Sequence, residues 1–237
     1  MTTKLLNSLA AATTLAGMLV TAGVANAASL TSTASTSLEF TDIVDSVLSI
    51  QKFNPSLGTL NSVTLDFNSL ITGEAGFENR GARAARVTVK LAAEVNLTNS
   101  DLELSPPFPI LPVNEQSYLV TAYDGVTDFG GTSGRTLEEL IATRSTTKTF
   151  NSVPDLAVFT GIGNLDFLYT AIAESTVTGS GNLRFFVDTL AQADLTVIYD
   201  YDPKTVPEPS AALGIGLFAG IGLLSQRKKS WFKISNS

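Results

Sequence analysis

The sequence predicts an all-β fold, an antiparallel β-sandwich with one short helix, flanked by an N-terminal signal peptide and a C-terminal apolar sorting helix. Three observations lead to this class. Apolar and polar residues alternate with a period of two over long stretches, glycine-rich turns separate these stretches, and an apolar segment stands near each end of the chain. Such alternation is typical of strands that have one face on a core and the other in water.

Composition narrows the function classes. The chain has no cysteine and no histidine, which removes thiolate chemistry and the side chain best suited to proton exchange at neutral pH. Its formal net charge is −7, and the basic residues at its C-terminus make the remaining body still more acidic. An acidic body argues against nucleic acid as a partner. We expect a protein that is not an enzyme and that carries no cofactor.

Residues 1–27 predict a secretory signal peptide. Lys4 precedes a run rich in Leu, Ala, Thr and Gly at residues 5–24, and small residues follow at Ala25 and Ala27. This order is the pattern that signal peptidase cleaves. We expect cleavage after Ala27, so that the mature chain begins at Ala28. No twin Arg precedes the apolar run, which favours the general secretion machinery.

Residues 28–202 predict one β-sandwich domain. The alternation is clearest at residues 63–68, 87–97 and 195–202. Further strands are predicted at residues 42–53, 117–123, 146–153, 156–159, 166–178 and 183–187. Turns containing Gly, Asn or Asp separate these segments, and turns of this kind join neighbouring antiparallel strands.

Two segments interrupt the strand pattern. Residues 105–112 contain four prolines, which lack the backbone donors that a central strand needs, so we predict a rigid surface loop. Thr136 and Glu139 have the spacing of a capping box, and the apolar residues that follow Thr136 would share one helical face. We therefore predict the short helix at residues 136–141.

The tail, residues 203–237, has three parts in a fixed order: a proline motif, an apolar run at residues 211–224 and a basic cluster. The motif and the cluster consist of Val206, Pro207, Glu208 and Pro209 and of Arg227, Lys228 and Lys229. A helix over the apolar run would be about 21 Å long, short of the hydrocarbon core of about 30 Å. The basic cluster would hold its end on the cytoplasmic side. The pattern predicts a short membrane helix with the body outside the cytoplasm.

This order of a Pro-Glu-Pro motif, a short apolar helix and a basic cluster closely resembles the PEP-CTERM sorting signal of Gram-negative bacteria. The resemblance implies that an exosortase-type transpeptidase cuts near residues 207–209. It also implies delivery to the envelope or to a matrix rich in exopolysaccharide, with the membrane holding the protein before processing. One departure from the pattern is the extension at residues 230–237.

The body carries a second likeness, at residues 53–60, 62–65, 159–163 and 197–201 and at the Glu78-Asn79 pair. Together these segments resemble the choice-of-anchor E domain. That family is defined by its occurrence with interchangeable C-terminal anchors. The resemblance therefore implies secretion and an all-β fold, and it supplies no catalytic residues.

Four basic residues form an island in the acidic body: Arg80, Arg83, Arg86 and Lys90. Guanidinium groups bind carboxylate or sulfate bidentately, so contact with anionic polysaccharide is the sharper hypothesis. Charges that balance neighbouring acids are the simpler interpretation. The alternation that begins at Val87 would place Arg86 and Lys90 on the wet face of a strand.

Asp124 and Asp128, with Gly125, Gly130 and Gly131, form the one candidate calcium loop. Calcium takes several oxygen ligands, but the EF-hand spacing is absent, and a turn rich in Asp and Gly is the ordinary interpretation. Paired carboxylates could also hydrolyse a glycosidic bond, although no acidic pair stands out in the sequence.

The sequence thus predicts an exported structural or adhesive protein of the envelope or extracellular matrix, with polysaccharide as its partner. A calcium-assisted carbohydrate-binding module is the first alternative. A carboxylate-based secreted hydrolase is the second.

Overall fold

The computed structural model describes residues 27–179 and 181–204, together with the backbone of Thr14 and Leu15. Within this part the chain forms strands β1 (Thr14–Leu15), β2 (Ala28–Ser35), β3 (Glu39–Phe40), β4 (Ile43–Gln51), β5 (Gly58–Asn79), β6 (Ala85–Thr98), β7 (Val113–Val120), β8 (Gly134–Phe150), β9 (Asn164–Ala173), β10 (Thr176–Thr178) and β11 (Leu183–Pro203). One helix, α1 (Val153–Phe159), lies between β8 and β9.

The strands build two antiparallel sheets. The first has the order β1-β2-β11-β5-β8, with β3 also beside β11, and the second has the order β10-β6-β9-β4, with β7 also beside β6. Strands β5 and β11 form the centre of the first sheet and pair from Gly58 opposite Pro203 to Asn79 opposite Leu183. The predicted all-β sandwich is confirmed.

The core lies between the sheets and follows the predicted alternation. Val63, Leu65 and Phe67 on β5 are buried, whereas the residues between them are half-buried on the outer face. Aromatic rings fill the region beside α1, where Phe159 packs on Phe150 with ring centres 5.2 Å apart. Apolar burial of this kind is the main force that holds two sheets together.

The predicted location of the short helix was wrong. Residues 136–141 belong to β8, where Thr136 lies opposite Gly76 and Ile141 lies opposite Thr72 of β5. Glu139 has a φ of 53° close to a register shift in this pairing, a combination found at bulges. Pairing along the central sheet therefore outweighs the local capping pattern.

The helix forms instead at α1, partly where a strand was predicted at residues 156–159. Ser152 is its N-cap and accepts a hydrogen bond from the Asp155 amide at 3.3 Å. A proline occupies the first turn, and Asp155 adds an acidic residue there. These are the usual start signals of a helix.

The proline-rich stretch lies outside the regular strands, as predicted, but it is not only a surface loop. Phe108 is buried and packs edge-on against Phe67, with ring centres 5.2 Å apart. The backbones of Ile110 and Val95 exchange two hydrogen bonds of 2.8 Å. The loop thus covers one part of the core.

Several predicted features of the termini fall outside the described residues. These are Ala25, the motif at residues 206–209, the apolar run at 211–224 and the cluster at 227–229. Ala27 is exposed, and Ala28 is the first residue of β2. No helix in the described part of the chain has the length and apolar character needed to cross a membrane.

Candidate functional site

The basic island divides between a loop and a strand. Arg80 and Arg83 lie in the exposed loop that joins β5 to β6, whereas Arg86 and Lys90 lie on β6. Lys90 is half-buried and stands directly opposite Glu115 of β7. Opposite charges at facing strand positions stabilise a sheet modestly. The structure therefore places only Arg86 and Lys90 on one sheet face.

The candidate calcium loop, residues 121–133, uses its aspartates to close its own turns. Asp124 Oδ1 accepts a hydrogen bond from the Val126 amide at 3.0 Å, and Asp128 Oδ1 accepts one from the Gly130 amide at 2.9 Å. The Val126 amide is the main cause that lowers the pKa of Asp124. Across residues 27–179 and 181–204, no three acidic side chains converge in a way that could hold a metal ion.

A buried carboxylate lies beneath this loop. Glu78 is fully buried on β5, and its Oε1 accepts a hydrogen bond of 2.5 Å from Ser133 Oγ. Its Oε2 has no hydrogen-bond partner in the described chain. Gly134 makes room for this oxygen, because a Cβ at that position would stand 2.2 Å from Glu78 Oε2.

The neighbouring Asn79 fastens the loop to the end of the sandwich. Its Nδ2 donates to the carbonyl oxygens of Arg83 and Thr121 at 2.8 and 2.7 Å, and its Oδ1 accepts from the Gly81 amide at 3.1 Å. These bonds satisfy backbone groups of two different loops. The Glu78-Asn79 pair is thus an anchoring element of the fold.

An open cleft of about 280 Å³, the aromatic cleft, lies between the two sheets. Its lining consists of Phe40, Thr41, Ala173, Ser175, Phe185, Val187, Asp188 and Thr189. Phe40 is 67% exposed and Phe185 is 52% exposed. Exposed aromatic side chains beside polar groups are a common feature of binding sites.

Hydrogen bonds hold the polar wall of the aromatic cleft in place. The amide and the hydroxyl of Thr41 both donate to the Thr189 carbonyl oxygen, at 3.0 and 3.1 Å. The hydroxyls of Ser175 and Thr189 lie 2.8 Å apart, and Ser175 Oγ also donates to the Ala92 carbonyl oxygen at 3.1 Å. The contact between Ser175 and Thr189 joins the two sheets, since Thr189 lies on β11 of the first sheet and Ser175 lies between β9 and β10 of the second. The cleft is therefore preformed.

One acidic residue, Asp188, is among those that line the aromatic cleft. Asp188 is exposed and stands directly opposite Glu74, also exposed, in the pairing of β5 with β11. Like charges at facing strand positions destabilise a sheet, so this pair is not explained by stability. Carboxylates accept hydrogen bonds from hydroxyl groups and repel anions. The cleft is therefore suited to an uncharged, hydroxyl-bearing ligand with an apolar face.

Two other cavities differ from the aromatic cleft in their aromatic residues. One, of about 310 Å³, lies under the proline-rich loop and includes Phe108, which is 3% exposed. The other, of about 360 Å³, lies beside α1 and includes Phe53, which is fully buried. Both rings are already packed in the core and offer little surface to a ligand.

Sequence reasoning missed the aromatic cleft, although one signal for it was present. Phe185 and Phe186 are consecutive residues of one strand, and consecutive strand residues point to opposite faces. Phe186 covers Gly76 and packs edge-on against Phe129, with ring centres 5.1 Å apart. Phe185 therefore lies on the other face of the strand, where Phe129 does not cover it.

Comparison with known proteins adds little to this description. No family model matches the chain, and no curated protein matches it. Among solved structures, it shows 14% identity to T=1 particles derived from infectious bursal virus, over 79% of this chain and 48% of that one, with a TM-score of 0.14. It shows 12% identity to the T13 particle of infectious bursal disease virus, over 90% of this chain and 52% of that one, with a TM-score of 0.14.

The chain spans about half the length of these capsid structures. At such TM-scores the similarity carries no argument about function. The class that fold and site define is a two-sheet β-sandwich with a preformed aromatic cleft that includes one acidic residue.

Proposed function

We propose that this protein is an exported component of the bacterial envelope or extracellular matrix and that it binds polysaccharide. The signal-peptide pattern at residues 1–27 and the Pro-Glu-Pro motif, apolar run and basic cluster of the tail support the route. On this proposal signal peptidase and an exosortase-type transpeptidase process the chain, and the membrane holds it in between. The resemblance of the body to the choice-of-anchor E domain supports the same route.

The observation that carries the binding proposal is the pair of exposed rings in a polar cleft. Phe40 and Phe185 expose 67% and 52% of their surface. Covering exposed aromatic groups with a ligand removes apolar surface from water and so favours binding. The C–H face of a sugar ring is apolar, whereas its hydroxyls can bond to Asp188 and to the wall hydroxyls. The volume of about 280 Å³ lies just below the usual range for drug-sized ligands. One sugar unit of a neutral chain is thus the proposed occupant.

The basic island is the competing polysaccharide surface. Arg86 is exposed on the same sheet face as Lys90, and Arg80 and Arg83 are exposed in the adjoining loop. Guanidinium groups favour carboxylate or sulfate, so this surface would select anionic polymers. Binding there would weaken as salt increases, whereas stacking in the aromatic cleft would depend much less on salt.

Affinity electrophoresis of the mature protein distinguishes binding at these two surfaces. The gels contain neutral or anionic polysaccharides and are run at low and high salt. We expect retardation by at least one neutral polymer that persists at high salt. If no neutral polymer retards the protein, binding in the aromatic cleft is contradicted. Retardation only by anionic polymers, lost at high salt and in Arg83→Ala/Arg86→Ala, would assign binding to the basic island.

The route has its own test. We expect the intact mass of the protein from the culture medium or envelope to lack residues 1–27 and the basic cluster at residues 227–229. A mass that still includes the cluster would show that the tail serves as an uncleaved anchor.

A further inference from the structure

The first strand of the mature chain borders a strand of the signal peptide. In the first sheet β2 lies between β11 and β1, and Thr14 and Leu15 of β1 pair antiparallel with Thr33 and Ser32 of β2. If export removes residues 1–27, as the proposed function requires, β1 leaves with them. The mature sheet then ends at β2, which begins at Ala28.

Edge strands elsewhere in the described chain carry features that oppose pairing with a further strand. Edge strand β8 has five charged side chains: Arg135, Glu138, Glu139, Arg144 and Lys148. In β4, Asp45 has a φ of 54° and lies at a register shift. Strand β7 carries Glu115, and β10 has three residues. Charges, bulges and short length are the usual protection of sheet edges.

Strand β2 has none of these features. Residues 28–38 contain only Ala, Ser, Leu and Thr, with no charge and no proline. Its eight residues pair with β11 in one continuous register. An uncharged, regular edge strand is a template for another strand. Before export Thr14 and Leu15 occupy this edge at Thr33 and Ser32, and after export these two positions are open as well.

We propose that the mature protein dimerises by antiparallel pairing of two β2 strands about a two-fold axis. Pairing of identical strands is the self-complementary contact that two-fold symmetry requires. The chain carries a net charge of −7, so most surfaces of two copies repel each other, but β2 contributes no charge to such a contact. Thr and Ser side chains at facing positions also favour the pairing. The two first sheets would become one continuous sheet.

The test is the mass of the leader-free protein by sedimentation velocity over a range of concentrations. We expect a dimer for the wild type and a monomer for Thr31→Lys/Thr33→Lys, because the lysines place four charges in the contact. The control Thr143→Lys/Thr147→Lys makes the same change on edge strand β8 and should remain a dimer. A wild-type monomer at every concentration would overturn the proposal. A dimer that survives the β2 change, or that both changes abolish, would overturn it as well.

A second measurement guards against misfolding of the lysine variant. The chain has no cysteine, so introduced thiols report only on their own positions. Thr31→Cys, Thr33→Cys and an equimolar mixture of the two cover three adjacent registers of the paired strands. In at least one sample, mild oxidation should give a covalent dimer, because facing strand residues lie within disulfide distance. Thr143→Cys should give none, and failure of all three β2 samples would contradict the pairing.

The outcome is separable from the proposed polysaccharide binding. Phe185 lies at the aromatic cleft, and β2 does not line it, so Phe185→Ala should leave the dimer mass unchanged. A monomer that still binds polysaccharide would reject only the pairing, and a dimer that binds none would reject only the ligand.

Discussion

At the scale of single residues, the stability of the core depends on two buried tyrosines, Tyr169 and Tyr199, and on the buried Glu78. Tyr199 donates its hydroxyl to the Gln51 carbonyl oxygen at 2.7 Å. Tyr169 Oη has no partner within ordinary hydrogen-bond geometry in the described chain. Burial raises the pKa of Tyr169 to about 12, although the nearby Ser69 hydroxyl lowers it in part, and burial raises the pKa of Tyr199 as well. Both phenols therefore resist ionisation as long as the core is closed.

We predict that the free energy of unfolding falls steeply in alkali. An unfolded tyrosine ionises near pH 10, whereas Tyr169 holds its proton in the folded state up to a pKa of about 12. The stabilisation is complete below about pH 10 and is lost as the pH rises toward 12, because only the unfolded state gains from ionisation there. Urea unfolding at pH 9 to 12 measures this fall.

Tyr169→Phe is the matched variant for this prediction. It should flatten the alkaline fall, and it should change the free energy of unfolding at pH 7 by less than about 1 kcal/mol, since the hydroxyl makes no hydrogen bond of ordinary geometry that the change would remove. An alkaline profile identical to that of the wild type would contradict the role assigned to Tyr169.

Glu78 supports a second prediction. Its one hydrogen bond in the described chain comes from Ser133, so Ser133→Ala leaves both oxygens of a buried carboxylate without a partner. We expect a loss of about 2 kcal/mol in the free energy of unfolding. Ser37→Ala is the control, because Ser37 also donates to a carboxylate, Glu39, but in an exposed pair. That change should cost less than about 0.5 kcal/mol, and an equal loss in both variants would contradict the argument.

At the scale of elements, helix α1 and strand β8 show where local signals decide and where they do not. Thr136 and Glu139 have a capping-box spacing, yet they lie in a strand because β8 pairs with β5 from Gly134 to Phe150. The start of α1 carried Ser152, a proline and Asp155, which are equally local signals. No long pairing partner competes for them. A local capping pattern therefore predicts a helix reliably only where the segment does not pair with a neighbouring strand.

The cap of α1 gives a third prediction. Ser152→Ala removes the side-chain acceptor of the Asp155 amide and should lower the free energy of unfolding by about 1 kcal/mol. Ser152→Asp should restore most of it, because Asp also caps helices well. A Ser152→Asp variant that is no more stable than Ser152→Ala would contradict the capping role of Ser152.

At the scale of the whole molecule, periodicity made the fold predictable. Strands β5, β6 and β11 are 22, 14 and 21 residues long and alternate buried with more exposed residues over long stretches, and such stretches leave one face for a core. Pairing order was not predictable, because β2, β5 and β11 come together from distant parts of the chain.

The aromatic cleft is hidden from sequence for the same reason. Thr41 follows β3 and Thr189 belongs to β11, whereas Ser175 lies between two strands of the other sheet. Each is an ordinary strand or turn residue until the sheets stack. Only Phe185, next to Phe186, signalled that one aromatic ring would stay outside the core.

The most direct test of the account is the affinity of the mature protein for the neutral polysaccharide that retards it most. Phe40→Ala and Phe185→Ala should each weaken that affinity at least about fivefold, since removing an anchoring aromatic group costs more than about 1 kcal/mol. Leu119→Ala is the control, because Leu119 is 75% exposed and lies on β7, outside the cleft. Its affinity should equal that of the wild type. Unchanged affinity in both phenylalanine variants would contradict the assignment of the aromatic cleft as the binding site.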